Sequence, residues 1–156
     1  MTESIAFQIM SGGSELLDRI GPLWICLREH HAAISPRWAT EMRDKHFDGR
    51  KSELLAKSQS GILVLIATFD GVDCAYCVAT IDRKCNGEVD SLFVDEAYRG
   101  HGIGSALLGR AMQWFAERGT KSVIVEVIAG NDEAVRFYER RGFAPRTVRL
   151  MTSTPA

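Results

Sequence analysis

The stretch "YRGHGIGSALL", residues 98–108, sets three glycines into five positions and then runs straight into leucines. Gly100, Gly102 and Gly104 lower helix propensity in a turn where Ile103, Ala106 and Leu107 already have helical spacing. A chain gives up propensity there when something must come very close to its backbone. A strand, a glycine-rich loop and a helix start form an anion site, because the first-turn N–H groups point outward and the helix dipole adds positive potential. Two familiar versions do not match. The P-loop ends in Gly-Lys-Ser/Thr, whereas this loop ends in Gly104-Ser105-Ala106. The dinucleotide fingerprint counted from Gly100 requires glycine at 105, and 105 is serine.

Outward from the loop, the periodicity alternates between strands and helices. Upstream, "GILVLIATF" (61–69), "DCAYCVATI" (73–81) and "GEVDSLFV" (87–94) are predicted strands, with "DG" at 70–71 marking a hairpin and "CNG" at 85–87 a second turn. Earlier, "IAFQIM" (5–10) is a predicted first strand. A helical stripe of Leu16, Ile20, Leu23, Trp24, Leu27 and His31 follows, kinked or restarted at Pro22. Ser35 is expected to cap a second helical stretch over about 36–58, broken near "DG" at 48–49. Downstream come a helix over about 103–118 ended by Gly119, a strand at 121–128, a helix capped by Asn131 and stopped by Gly142, and a last strand in "FAPRTVRLM". This order predicts a mixed α/β domain over residues 1–156, with helices covering a central sheet.

Composition narrows the function. The chain has 156 residues, 46% hydrophobic and 25% charged, with a net charge of −1. No nucleic acid and no membrane partner is expected from that balance, and no apolar run approaches the roughly 20 residues of a membrane span. No secretion signal is visible, so a cytoplasmic location is expected. Cys74 and Cys77 form a C-x-x-C within a predicted strand, where they point to opposite faces. The cysteines therefore read as reduced thiols, with no metal site.

Arg99-Gly100-His101-Gly102-Ile103-Gly104 matches R/Q-x-x-G-x-G/A, and "NDEAVRFYERRGF" (131–143) matches N-x-x-A-x-x-F-Y-x-x-x-G-F. Together, at this separation, they resemble the two halves of the GCN5-related N-acetyltransferase (GNAT) superfamily. The resemblance implies a twisted, mostly antiparallel sheet splayed at a cofactor cleft. It implies acetyl-coenzyme A as co-substrate, with no metal. Backbone groups of Leu92, Phe93 and Val94 would hold its pantetheine arm. The loop of Arg99, Gly100, His101, Gly102, Ile103, Gly104 and Ser105 would hold its pyrophosphate through N–H groups, the His101 ring itself reading as an exposed loop side chain.

Acetyl transfer needs a proton taken from the amine, a polarised thioester carbonyl and a stabilised thiolate. Glu88 and Asp90 are two carboxylates on one face of a predicted central strand, costly there unless they line a wet cleft. Glu88 also matches the family's strand glutamate in its spacing to the loop, so either acid is a candidate base. Alternatively, Glu88 sits at the wet end of the strand without a role. By resemblance, Tyr138 lies beside the coenzyme A sulfur as general acid, and it also reads as a core aromatic. Asn131, seven residues earlier and about 10 Å away on the same helix face, is a second pantetheine contact or a plain cap. His31 is a candidate substrate contact or a core histidine. The acceptor is expected to be a small-molecule or peptide amine, the two acids favouring a cation. The alternative is a non-catalytic acyl-coenzyme A sensor on the same fold. Dimers are common in the family, so a homodimer is one expected state.

Overall fold

A computed structural model describes residues 6–153 of the chain. The chain divides into two compact units, Met1–Glu126 and Val127–Ala156. The first holds a five-stranded sheet in the order β1 (Gln8–Gly12), β2 (Gly61–Phe69), β3 (Val72–Ile81), β4 (Asn86–Val94) and β5 (Ser122–Val125). β1 to β4 are antiparallel neighbours, and β5 runs parallel to β4. The expected architecture of a mixed, mostly antiparallel sheet flanked by helices is the one observed.

One face of the sheet carries α1 (Gly21–Ile34) and α3 (Phe47–Lys57), joined through the short α2 (Ala39–Arg43). Leu23, Trp24 and Leu27 of α1 and Leu54 of α3 close over Val64, Ile66, Tyr76, Val78 and Phe93 in one apolar cluster. Burying each such aliphatic side chain contributes about 1.5–3 kcal/mol. The opposite face receives α4 (Ile103–Arg118), whose buried Ile103, Leu107, Leu108, Ala111 and Phe115 form the stripe that 3.6-residue periodicity requires.

Several boundaries differ from expectation. Ile5 lies outside the described residues, and β1 runs later than 5–10, ending at Gly12. The helical stripe does restart at Pro22 as expected: that residue stands in the first turn of α1, after a 3₁₀ segment at Ser14–Ile20. The break in the second helical stretch falls at residues 44–46 rather than at 48–49, and Gly49 sits inside α3. Ser35 precedes a 3₁₀ turn and makes no capping bond with its side chain. The Asp70-Gly71 hairpin is present, both residues having positive φ. Gly87, the expected junction of turn and strand, lies within β4: a Cβ there would stand 2.6 Å from the Phe115 ring, so glycine is what lets α4 lie this close.

In the second unit, Asn131 caps α5 (Asp132–Glu139) by accepting from the Ala134 N–H at 3.2 Å. The chain leaves the helix through Gly142 at φ +91°. The expected last strand over 143–151 does not form. Those residues carry no regular secondary structure, with Val148 and Leu150 81% and 89% exposed. Alternating apolar residues suit a strand only when a ladder and a packed face hold it.

Candidate active site

β4 carries different chemistry on its two faces. Its pairing with β3 skips one residue: Val78 faces Ser91 and Ala79 faces Val89, so Asp90 is an extra residue in a β-bulge. The bulge puts Glu88 and Asp90 on the α3 side together with Ser91 and Phe93, while Gly87 and Val89 face α4. The expectation of two acids on one face therefore holds geometrically.

Both acids are partnered. The Lys57 ammonium, at the end of α3, donates to Glu88 Oε2 and to Asp90 Oδ1. Thr80 Oγ1 donates to Asp90 Oδ2 at 2.6 Å, and Arg50 Nη2 donates to the Asp90 carbonyl at 3.0 Å. The Asp90 side chain is fully buried, whereas Glu88 and Lys57 keep 21% and 35% exposure and so reach solvent. Burial and the adjacent Glu88 push the Asp90 carboxyl up to about 6, against the opposing pull of Lys57 and Thr80. Burial also raises Glu88, but hydrogen bonds from Asp90 and Lys57 outweigh it and hold Glu88 below the usual carboxylate range. Burial lowers Lys57, and its two carboxylate partners more than restore it, leaving a firm ammonium. The acids thus titrate as a pair, with Glu88 the accessible carboxylate.

At the far end of β4, the chain turns through Asp95–Tyr98 into the glycine loop. Gly100 and Gly102 have φ of +83° and +80°, and a Cβ on either would meet no atom within 4 Å. Their glycine requirement is therefore conformational, and the surface above them is open. Gly102 is the N-cap of α4, and the first bond of the helix ladder runs from the Ala106 N–H to the Gly102 carbonyl. That ladder leaves the N–H groups of Ile103 and Gly104 to another acceptor. A 16-residue helix with such a start fits the pyrophosphate of a coenzyme A thioester. Ser105 and His101 flank this turn, both partly exposed. The Arg99 guanidinium folds back, donating from Nε to the Val94 carbonyl at 3.0 Å and lying 5.8 Å over the Phe93 ring.

The ladder between β4 and β5 stops at Val89 and Val125, so Leu92, Phe93 and Val94 run on beyond β5. Phe93 is buried in the α1 cluster and its neighbours are half-buried. His31 is half-buried near the end of α1, beside His30, whose ring lies 6.5 Å from Phe93. Burial first, then the His30 charge, lowers His31 to about 4, so it is neutral at ordinary pH. Burial raises the Cys74 thiol and pushes Cys77 up to about 12. Among the described residues, no group of three or more His, Cys, Asp and Glu could hold a metal ion, and no helix is long and apolar enough to cross a membrane.

In the second unit, Tyr138 is buried with its ring between Phe137 and Phe143, at centroid distances of 5.1 and 5.5 Å. Asn131 Oδ1 is the helix cap already described. Sequence reasoning did not find Lys57, Thr80 or Arg50. Tyr76 and Thr80 are the polar residues on the even-numbered face of β3, and that signal was available. Nothing in the local pattern marks Lys57, because its partners come from a strand more than thirty residues away.

The sequence matches the Acetyltransferase (GNAT) family over residues 24–143, and the chain belongs to that family. It is similar to an N-acetyltransferase of Methanocaldococcus jannaschii, 35% identical over 80 residues that cover 51% of this chain and 35% of that protein. It is also similar to the mycothiol acetyltransferase of Corynebacterium aurimucosum, 44% identical over 63 residues covering 40% and 21% of the two chains. The matched stretch thus spans about a third or less of these relatives. An aminoglycoside N-acetyltransferase, AAC(6')-Iy, solved in complex with CoA, shares the fold at a TM-score of 0.62, with 15% identity and 100% and 99% of the two chains covered.

Proposed function

We propose that this protein transfers the acetyl group of acetyl-coenzyme A to a primary amine of a small molecule or peptide by direct attack. The observation that carries the reading is the part-buried Glu88–Asp90 pair, on the strand that leads into the glycine loop. Acetyl-coenzyme A supplies the acetyl group as a thioester. The N–H groups at the start of α4 receive the pyrophosphate, and the β4 backbone over Leu92–Val94 lines the pantetheine arm. Glu88, the accessible acid, takes the proton from the acceptor ammonium and shares it with Asp90. The amine nitrogen then bonds to the carbonyl carbon, the carbon–sulfur bond breaks, the nitrogen gives up its second proton to solvent, and the thiolate takes up a proton. Family resemblance supports Tyr138 as the donor of that proton, with Asn131 as a further contact. The neutral His31 supports a wall of the acceptor pocket rather than a charge. The reaction releases an N-acetylated amine and free coenzyme A.

The test is thiol release from acetyl-coenzyme A across a panel of polyamines, amino acids, aminoglycosides and N-terminal peptides, with Tyr138→Phe in parallel. Release with at least one amine, reduced roughly 10²–10⁴-fold in the variant, is expected. Cofactor binding without thiol release across the panel would overturn the reading in favour of an acyl-coenzyme A sensor.

A further inference from the structure

Lys57 is the one cation that touches both side-chain carboxylates of the acid pair among the described contacts. A pair of carboxylates on one wet face can take two ammonium groups, and Lys57 fills one of those places from the protein itself. The other charged groups around the pair come from α3, where Arg50 bonds the Asp90 carbonyl and pairs with Glu53 at 3.4 Å. From β3 come the neutral Thr80 hydroxyl and, on the far face, the protonated Cys77. With Arg50 offset by Glu53, the Glu88–Asp90–Lys57 set carries one net negative charge when both acids are ionised.

We propose that Lys57 is a specificity-determining and positioning residue: it fastens Glu88 to Asp90 and cancels one of their charges, so that the site accepts a single ammonium and discriminates against a second one nearby. The inference deepens the acetyl-transfer reading and rests on the acid pair being the acceptor site. Holding the acids together also keeps Glu88 oriented, since a carboxylate with 21% exposure and no cation beside it would turn to water. A diamine that reaches the pair must displace Lys57 or leave its second ammonium unpaired. A monoamine has neither cost.

The experiment is carboxyl carbon NMR on the full chain with labelled Glu and Asp, in wild type, Lys57→Met and Lys57→Arg. Signals of Glu88 and Asp90 are assigned through Glu88→Gln and Asp90→Asn. Each protein is titrated first with acid, then separately with n-butylamine and with 1,4-diaminobutane. In Lys57→Met the pair is expected to hold its proton to a pH about one unit higher. The diamine should shift its signals at a concentration about tenfold lower than in wild type, and n-butylamine should change by less than about threefold. Lys57→Arg should stay near wild type in both. An unchanged ratio of diamine to monoamine concentrations in Lys57→Met overturns the proposal, as does an unchanged acid titration. These readouts need no turnover, so they stand apart from the thiol-release assay: absence of acetyl transfer would remove the reaction and leave the charge-setting role of Lys57 decided by the NMR.

Discussion

The two faces of β4 are built by different rules. Toward α4, Gly87 and Val89 fit against a helix, and the tightest point is a glycine under the Phe115 ring. Toward α3, the same strand presents Glu88 and Asp90 to a lysine, a threonine and an arginine. Both faces are largely shielded from water, so shielding alone does not tell structure from chemistry. The first face depends on shape and tolerates no added atom. The second depends on charge and tolerates any substitution that keeps shape, except in what it can do to a proton.

The most direct way to break that contrast is to change charge without shape. Glu88→Gln should lower kcat/KM by roughly 10²–10⁴-fold and abolish the acidic limb of its pH profile, while stability moves by less than about 1 kcal/mol. Asp90→Asn should keep a limb and move it to lower pH, because the remaining carboxylate no longer shares a proton. A pH–rate series on both variants with an accepted amine checks this. A limb that follows the amine's own pKa in all three proteins would mean that neither acid takes the proton.

Changing shape without charge gives the converse. Gly87→Val would drive a methyl into the Phe115 ring and should destabilise the fold by about 1–3 kcal/mol, read as a Tm lower by roughly 4–10 °C. The pH dependence of the rate should be unchanged. In the loop, Gly104→Val adds bulk within helical backbone, whereas Gly102 would also suffer at its positive φ. Calorimetry should show acetyl-coenzyme A binding about tenfold or more weaker in Gly104→Val, with the Tm nearly kept.

The smallest effect concerns His31. Its folded-state value of about 4 lies below the ordinary 6.5, so between those values the unfolded chain binds more protons. Stability from this group is present above about pH 6.5 and is lost as the pH falls toward 4. His31→Gln should flatten the decline of Tm between pH 6.5 and 4 by a few degrees. An identical slope in the variant would place the acid sensitivity elsewhere.

The parts of the fold written in local patterns were legible: the strands from 61 to 94, the helix at 103–118, the capping asparagine and the glycine loop. Each is set by residues a few positions apart. The missed boundaries at 44–46 and beyond 143 depend on what the segment packs against, which periodicity does not contain. The site divides in the same way. Glu88 and Asp90 could be paired from spacing alone, though the spacing of two that suggested a shared face is a regular-strand rule, and here the bulge also brings Ser91 to that face. Lys57 could not be found, because the contact is made across the fold. The opposite shifts of the two acids follow from the deeper burial of Asp90 and the hydrogen bond between the acids, with Lys57 adding to the drop in Glu88, so they were equally hidden.

The bulge at Asp90 has a consequence for how this strand can change length. Upstream of it, even-numbered residues look toward α3; downstream, odd-numbered ones do, as Ser91 and Phe93 show. Excising Asp90 alone would restore a uniform alternation with neither half of the strand turned over, because Glu88, Val89, Ser91, Leu92 and Phe93 already face consecutive β3 residues from Thr80 to Tyr76. Glu88 would keep Lys57, Phe93 would keep the α1 cluster, and the Ser91 hydroxyl would keep its place 2.5 Å from Tyr76 Oη, so the loss would fall on the Asp90 carboxylate alone. Loss of one residue at the bulge therefore keeps both faces of β4, while loss of two would turn one half of the strand over relative to the other.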